Sequence, residues 1–232
     1  MGKCLARAMG DSGAQVVINY RHREKEAQAL VAELEEDGRR AIAVRANVAE
    51  ESEVDSLVAQ TVETFGRVDI LINNAGISRD GLSWKVSSED WHEVLNVNLT
   101  GTFYATRAVL PHMREARWGR IVNISSVVAQ MGVAGAAAYS ASKAGIMGLT
   151  RTVAIEAAPR NITVNCLALG YFDVGLIDGL SPEAQEKIVD QVPVGQLGKP
   201  EAVVETVRYL CLEEVSFVTG QVINVNGGLF MG

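Results

Sequence analysis

Short apolar runs alternate with amphipathic stretches along nearly the whole chain. Residues 15–19, 41–45, 69–73, 120–125, 163–168 and 221–225 are strand-like. Most of these runs are continuously apolar rather than alternating, as in a parallel sheet covered on both faces. Between them, helical periodicity predicts helices near 24–37, 51–65, 89–115, 139–157 and 200–212, with Ser52, Ser88 and Ser181-Pro182 as starts. Strand and helix in alternation predict an α/β doubly wound parallel sheet with right-handed crossovers. No repeat, low-complexity tract or linker interrupts the pattern, so residues 1–232 read as one domain. The least regular stretch, 170–198, is rich in Gly and Asp with a short helix near 182–191, and has the character of a lid.

Composition narrows the classes of function. A chain of 232 residues, 48% hydrophobic and 21% charged with a mean hydropathy of +0.12, can bury the core of an ordinary globular domain. No run approaches the roughly 18–20 uninterrupted apolar residues of a membrane span. The opening residues lack the long apolar region of a signal peptide. With a net charge of −7 and scattered Lys and Arg, nucleic acid is not an expected partner. Cys4, Cys166 and Cys211 are odd in number and far apart, and His22, His92 and His112 form no ligand pattern. Reduced thiols, a cytoplasmic location and no metal site are the expectation.

The chemistry concentrates in Tyr139-Ser-Ala-Ser-Lys143, where a phenol and an ammonium stand one helical turn apart on a shared face. A nearby cation favours tyrosinate and is expected to lower the phenol pKa toward the working pH, fitting it for proton transfer to a substrate oxygen. In open α/β sheets, ligands sit beyond the carboxyl ends of the strands. Asn73-Asn-Ala-Gly76 and Ser125-Ser126 close two such strands, the latter with Ser126 thirteen residues before Tyr139. Asn165 through Gly170 closes another, and Asn98 lies inside a predicted helix in Asn96-Val-Asn-Leu-Thr-Gly101. Asn73 and Ser125 read as structural hydrogen-bonding residues.

With the closing Thr219-Gly-Gln-Val-Ile-Asn-Val-Asn-Gly-Gly228, these motifs resemble the short-chain dehydrogenase/reductase family. The likeness runs from residue 2 to the C-terminus and is nearest to the 3-oxoacyl-acyl carrier protein reductases and the similar acetoacetyl-CoA reductases. It implies a Rossmann-like fold and a catalytic set of Asn98, Ser126, Tyr139 and Lys143. In it Tyr139 is the acid and Ser126 donates to the carbonyl oxygen, while Lys143 tunes the tyrosine and holds the nicotinamide ribose. Asn98 breaks its helix locally and supports a water chain to Lys143. Cofactor contacts are implied at Arg21, Asn47, Val48, Asn74, Ala75, Gly76, Tyr139, Lys143 and Gly170. After the strand ending at Asn19 stand Arg21 and Arg23 with no acid, which suits the 2′-phosphate of NADP(H). Arg117 and Arg160 match positions that meet an acidic acyl carrier protein. Relatives are commonly tetramers or dimers built through the helices near 89–115 and 139–157 and the C-terminal segment. An apolar substrate is expected against Tyr171, Phe172, Leu176 and Ile177.

The chain also departs from the family pattern. The family opens on a strand and a Thr-Gly-x-x-x-Gly-x-Gly loop, and Met1-Gly2-Lys3 aligns with the last residues of that loop, with Lys3–Met9 as the helix behind it. The missing strand belongs between those ending at Asn19 and Asn73, so two inner strand edges are expected to stand unpaired, each buried group costing on the order of 1–3 kcal/mol. Either the sequence starts at an internal Met of a longer chain, or the protein lacks the segment and binds cofactor weakly. Asn47, Leu169, Val174 and Asn226 replace the family's acid, proline, threonine and aspartate near the cofactor. Three readings of function follow. The first is NADP(H)-dependent reduction of a 3-oxoacyl thioester, the second reduction of another apolar carbonyl by the same chemistry, and the third a non-catalytic oligomeric subunit.

Overall fold

The computed structural model describes residues 1–175, 177 and 181–232. Along the chain come α1 (Gly2–Asp11), β1 (Val16–Tyr20), α2 (Glu24–Glu36), β2 (Ala41–Arg45), α3 (Glu51–Phe65), β3 (Ile70–Asn73) and α4 (Ser88–Leu95). A π-helical turn (Asn96–Thr100) joins α4 to α5 (Gly101–Ala116). Then follow β4 (Gly119–Ser126), α6 (Val128–Met131), α7 (Ala137–Ala157), β5 (Ile162–Leu169), α8 (Pro182–Val189), α9 (Pro200–Cys211) and β6 (Val222–Val225). The predicted strands and helices are all present within a few residues. The one helix expected over 89–115 is two, joined by the wider turn at Asn98.

All strand pairs are parallel, as the continuous apolar runs predicted. β4 and β5 pair over their whole length, Gly119 opposite Ile162 through Ser126 opposite Leu169, and every residue of both is buried. Their side chains divide between two helix layers. Val122, Ile124, Leu167 and Leu169 face α1, α2 and α9 through Leu5, Met9, Leu30, Leu34, Val203 and Leu210. Ile121, Ile162 and Val164 face α3, α5 and α7 through Val58, Val109, Met113 and Val153. Full burial of each such side chain contributes about 1.5–3 kcal/mol. At the amino edge, the buried Arg120 stacks on Trp118 at 4.5 Å and donates to the carbonyls of Gly119 and Asn161 at 2.9 and 3.2 Å. It thereby ties the starts of β4 and β5 together.

The strands fall into two parallel sheets. β1 and β2 form one two-stranded sheet, while β3, β4, β5 and β6 form another in that order. Among the described residues no strand pairs with the second edge of β1 or with the outer edge of β3. Val16 N–H donates to Arg40 and Ala46 N–H to Tyr20, so alternation turns the amides of Val17 and Asn19 away from β2. Arg120 N–H donates to Asp69, which likewise turns those of Ile70 and Ile72 away from β4. All four β3 residues are only half-buried, in contrast to β4. Hydrogen exchange is expected to be about a hundredfold faster at Val17, Asn19, Ile70 and Ile72 than at Val122 and Val164. Equal protection across the two sets, measured residue by residue by NMR, would show that these edges are covered.

Candidate active site

The carboxyl end of β4 and the first turns of α7 carry the central groups. Ser125 Oγ donates to the Lys143 carbonyl at 2.8 Å, locking α7 onto the strand as its structural reading requires. One residue on, Ser126 Oγ accepts from Val128 N–H at 3.2 Å and lies near the Tyr139 phenol, whose ionised form it favours. Tyr139 and Lys143 stand one turn apart, with Nζ 5.7 Å from the ring centroid. Lys143 is buried and donates to the Ile124 carbonyl of β4 at 2.7 Å.

The electrostatics differ from the expectation that the lysine pulls the phenol down. Burial pushes Tyr139 above the ordinary tyrosine value, the Ser126 hydrogen bond opposes this, and the Asp80 carboxylate and Tyr171 push it further up. The physical reason is burial, which penalises the charged tyrosinate. Burial in turn lowers Lys143 from 10.5 to about 8, with the Cys166 thiol beneath it acting weakly in the other direction. As placed, the phenol keeps its proton and is an acid awaiting a base.

Asn98 is fully buried in the π turn, the kind of local widening that turns a side chain out of the helical register. Its Oδ1 accepts from Ile77 N–H at 2.8 Å, and Nδ2 donates to the Ile77 carbonyl at 2.9 Å and to Ser142 Oγ at 3.0 Å. Thr102 Oγ1 donates to its backbone carbonyl at 2.7 Å. Asn98 thus fastens the loop after β3 to α7. Gly76 lies between: a Cβ there would stand 3.3 Å from Lys143 Nζ and 3.4 Å from Asn98 Oδ1, so any larger residue would crowd the ammonium. Behind it, Asn73 Nδ2 donates to Asn123 Oδ1 at 2.8 Å and Asn123 Nδ2 to Thr150 Oγ1 at 2.9 Å. This buried amide chain joins β3, β4 and α7 and accounts for Asn73 as structural.

The residues with an implied cofactor contact divide into those that converge and those that do not. Asn74 sits against Gly2, so the first turn of α1, which has no side-chain cap, directs its unpaired N–H groups beside Asn74 and the exposed Ala75 and Gly76. Arg21 and Arg23 are exposed beyond β1 and form no ion pair among the described residues. This donor set fits a dinucleotide. Val48 is held against Gly101, where a Cβ would come within 2.9 Å of its carbonyl, and so links the two-stranded sheet to α5. Asn47 is occupied by its own turn, donating N–H to Glu53 at 2.8 Å and accepting from Ala49 at 3.2 Å. Gly170 is bonded to Val225 at 2.9 Å and pressed on Asn226, leaving no room for a side chain.

Other expectations need correction. Phe172 is buried in the apolar core on the α9 side, against Gly198, and Ile177 is buried as well, so neither lines an open surface. Tyr171 is half-buried near Tyr139, and Leu176 lies outside the described residues. Arg117 and Arg160 stand at the amino ends of β4 and β5, the opposite edge of the sheet from Ser126. Sequence reasoning missed Thr102 and Ser142, which hold Asn98, and Asp80, which faces the phenol. The position of Ser142 between Tyr139 and Lys143 was the available signal for one of them.

The chain matches, over residues 1–230, the family model described as enoyl-(acyl carrier protein) reductase. It is 44% identical over 232 residues to a 3-oxoacyl-[acyl-carrier-protein] reductase of Synechocystis sp., covering 100% of this chain and 93% of the relative. It is 42% identical over 231 residues to the enzyme of that name from Aquifex aeolicus, covering 99% of this chain and 93% of the relative. With the one from Staphylococcus aureus the identity is 38% over 231 residues, covering 100% and 94%.

The depressed Lys143 has a measurable signature. Its folded value of about 8 lies below the ordinary 10.5, so between these pH values the unfolded chain binds a proton that the folded protein does not. Its contribution to stability therefore rises with pH through that window and is flat on either side. Urea unfolding of the wild type against Lys143→Met should show the wild type gaining on the order of 3 kcal/mol relative to the variant between pH 8 and pH 10.5. A difference independent of pH would mean that the amine is solvated.

Proposed function

The chain belongs to the short-chain dehydrogenase/reductase family of oxidoreductases, and on that premise we propose that it reduces the ketone of a 3-oxoacyl thioester to the 3-hydroxy product with NADP(H). The observation that carries this reading is the Ser126–Tyr139 hydroxyl pair at the carboxyl end of β4, with the phenol in its protonated form. A carbonyl oxygen between these hydroxyls receives a hydrogen bond from Ser126 as negative charge develops on it, and takes the proton of Tyr139. Bound nicotinamide supplies the hydride that the carbonyl carbon accepts. Lys143, with Gly76 leaving Nζ approachable, holds the ribose and the tyrosinate left behind, and Asn98 keeps the loop and α7 in register. Arg21 would support a 2′-phosphate and the first turn of α1 the pyrophosphate, with Asn74 and Ala75 bordering the same cofactor, while Val48, Asn47 and Gly170 would shape the backbone around it.

The substrate class rests on the relatives' activity, which supports a role in fatty acid synthesis, and the cytoplasm is the location that goes with this reading. An acidic carrier protein would meet Arg117 and Arg160. These lie at the far edge of the sheet from Tyr139 of the same chain, so a carrier bound there serves the site of a neighbouring copy. A homotetramer or dimer is consistent with exposed Trp91, Phe103 and Ile155 on α4, α5 and α7. The 170–198 segment, with α8, would close over the substrate.

NADPH oxidation with an acetoacetyl thioester should be catalysed by the purified chain, and Tyr139→Phe should lower kcat/KM by roughly 10²–10⁴ without changing the circular dichroism. Turnover of a crotonyl thioester instead would assign an enoyl substrate. A stable oligomer that neither binds NADPH by calorimetry nor turns over either thioester would establish the non-catalytic reading.

A further inference from the structure

A 3-oxoacyl thioester carries an alkyl chain, and the residues expected to meet it, Phe172 and Ile177, are both buried. Val194, the exposed apolar residue after α8, donates N–H to the Gly227 carbonyl at 3.2 Å, beyond the end of β6 and two strands away from β4. Exposed apolar side chains closer to the site stand on the segments that follow β3 and β4. Leu82 and Trp84 are on the first, Met131 and Val133 on the second, and Trp84 is 78% exposed.

Backbone bonds join these two segments. Gly81 forms a parallel bridge with Ala136 and donates N–H to the Gly135 carbonyl at 2.8 Å. Leu82 follows the bridge directly, and its carbonyl accepts from the N–H groups of Lys85 and Val86 at 2.7 and 3.2 Å, so Trp84 stands at the tip of a closed turn. A Cβ on Gly81 would lie 3.2 Å from Val86 Cγ2, which shows that the turn is packed on the bridge. On the other side, Ala136 N–H donates to the Val133 carbonyl at 3.1 Å, and Met131 N–H to the Val127 carbonyl at 3.0 Å as α6 ends. Ala136 is the N-cap of α7, three residues before Tyr139, and Ser126 opens the segment that Ala136 closes. The four apolar residues therefore flank a bonded strap at the approach to the two hydroxyls.

We propose that Leu82, Trp84, Met131 and Val133 form the surface that receives the alkyl chain of the thioester, with Trp84 setting a preference for longer chains. The proposal rests on the reductase reading and adds the part of the substrate which that reading leaves open. The carrier arm of such a thioester is studded with amides, so the alkyl chain is the part whose chemistry matches four apolar side chains. Each methylene that leaves water against them favours binding by up to about fourfold. Side chains held on hydrogen-bonded turns also lose little freedom when the chain arrives.

The test compares acetoacetyl- and 3-oxododecanoyl-coenzyme A, the latter kept below its micelle concentration. In the wild type kcat/KM should be at least about tenfold higher for the long chain. In Trp84→Ala that ratio should fall about tenfold, the change appearing in KM for the long substrate rather than in kcat, while Trp84→Phe keeps an apolar ring and should follow the wild type. A wild type indifferent to chain length, or an unchanged ratio in Trp84→Ala folded by circular dichroism, would overturn the proposal. Saturated dodecanoyl-coenzyme A reads the same surface without turnover: it should shift the tryptophan emission of the wild type, and most of that shift should be lost in Trp84→Phe, which retains Trp91 and Trp118. If the emission does not respond, and Trp84→Ala instead elutes as a smaller species, the surface is a contact between copies and the proposal fails. Should the wild type reduce neither thioester, the reductase reading falls, and the emission change alone decides whether the surface binds an acyl chain.

Discussion

Lys143 reaches from α7 to the Ile124 carbonyl of β4 and is held there at 2.7 Å, buried, with no carboxylate within 4 Å among the described residues. An ammonium so placed forfeits most of its hydration and recovers a single charge-assisted bond. The fold tolerates this because the surrounding groups have little freedom to move. Ser125 bonds the lysine's own carbonyl, Asn123 reaches Thr150 two turns further along, and Ile146 is sealed beneath. Moving the amine means sliding a 21-residue helix over a fully buried strand. The position of Tyr139, and with it the chemistry, follows from that immobility.

A buried cation without an anion is a poor device for stability and a good one for function. Arg120 offers an internal comparison. It too is buried with no carboxylate within 4 Å among the described residues, yet it spreads its charge over three carbonyls and a tryptophan face at the edge of the sheet. Its Nη2 has no partner, which marks even this arrangement as incomplete. Lys143 has fewer partners and a displaced pKa, so it responds to any ligand that brings oxygen atoms to Nζ. Perturbed ionisation beside an open approach, here the bare Gly76, is the signature of a site rather than of a scaffold.

The architecture was legible because its signals are local. Continuous apolar runs identified the parallel strands, and the twin hydroxyls at 125 and 126 marked the end of one of them. Even the widening at Asn98 was expected from its motif, and it is present as the π turn. What could not be read was how charges balance across elements far apart in sequence. Proximity of Lys143 to Tyr139 along the helix suggested a lowered phenol, but burial decides the matter, and burial is not visible in a spacing. Phe172 misled because an aromatic in an irregular segment gives no sign of which side of the sheet it will face.

The break in the sheet separates the two tasks of the site. Ser126, Tyr139, Lys143, Asn98 and Gly76 all hang from β3, β4, α7 and the π turn, which belong to the four-stranded sheet or pack on it. Arg21 and Asn47 follow the two strands of the other sheet, which meets the first through the α1, α2 and α9 core and through Val48 against Gly101. Proton transfer therefore needs only one rigid body, whereas a dinucleotide spanning both must also hold the sheets in register. In such a molecule, cofactor affinity and catalytic geometry are separable quantities. Binding energy from the dinucleotide would be spent in part on aligning the halves, and the proton-transfer groups would stand ready before it arrives.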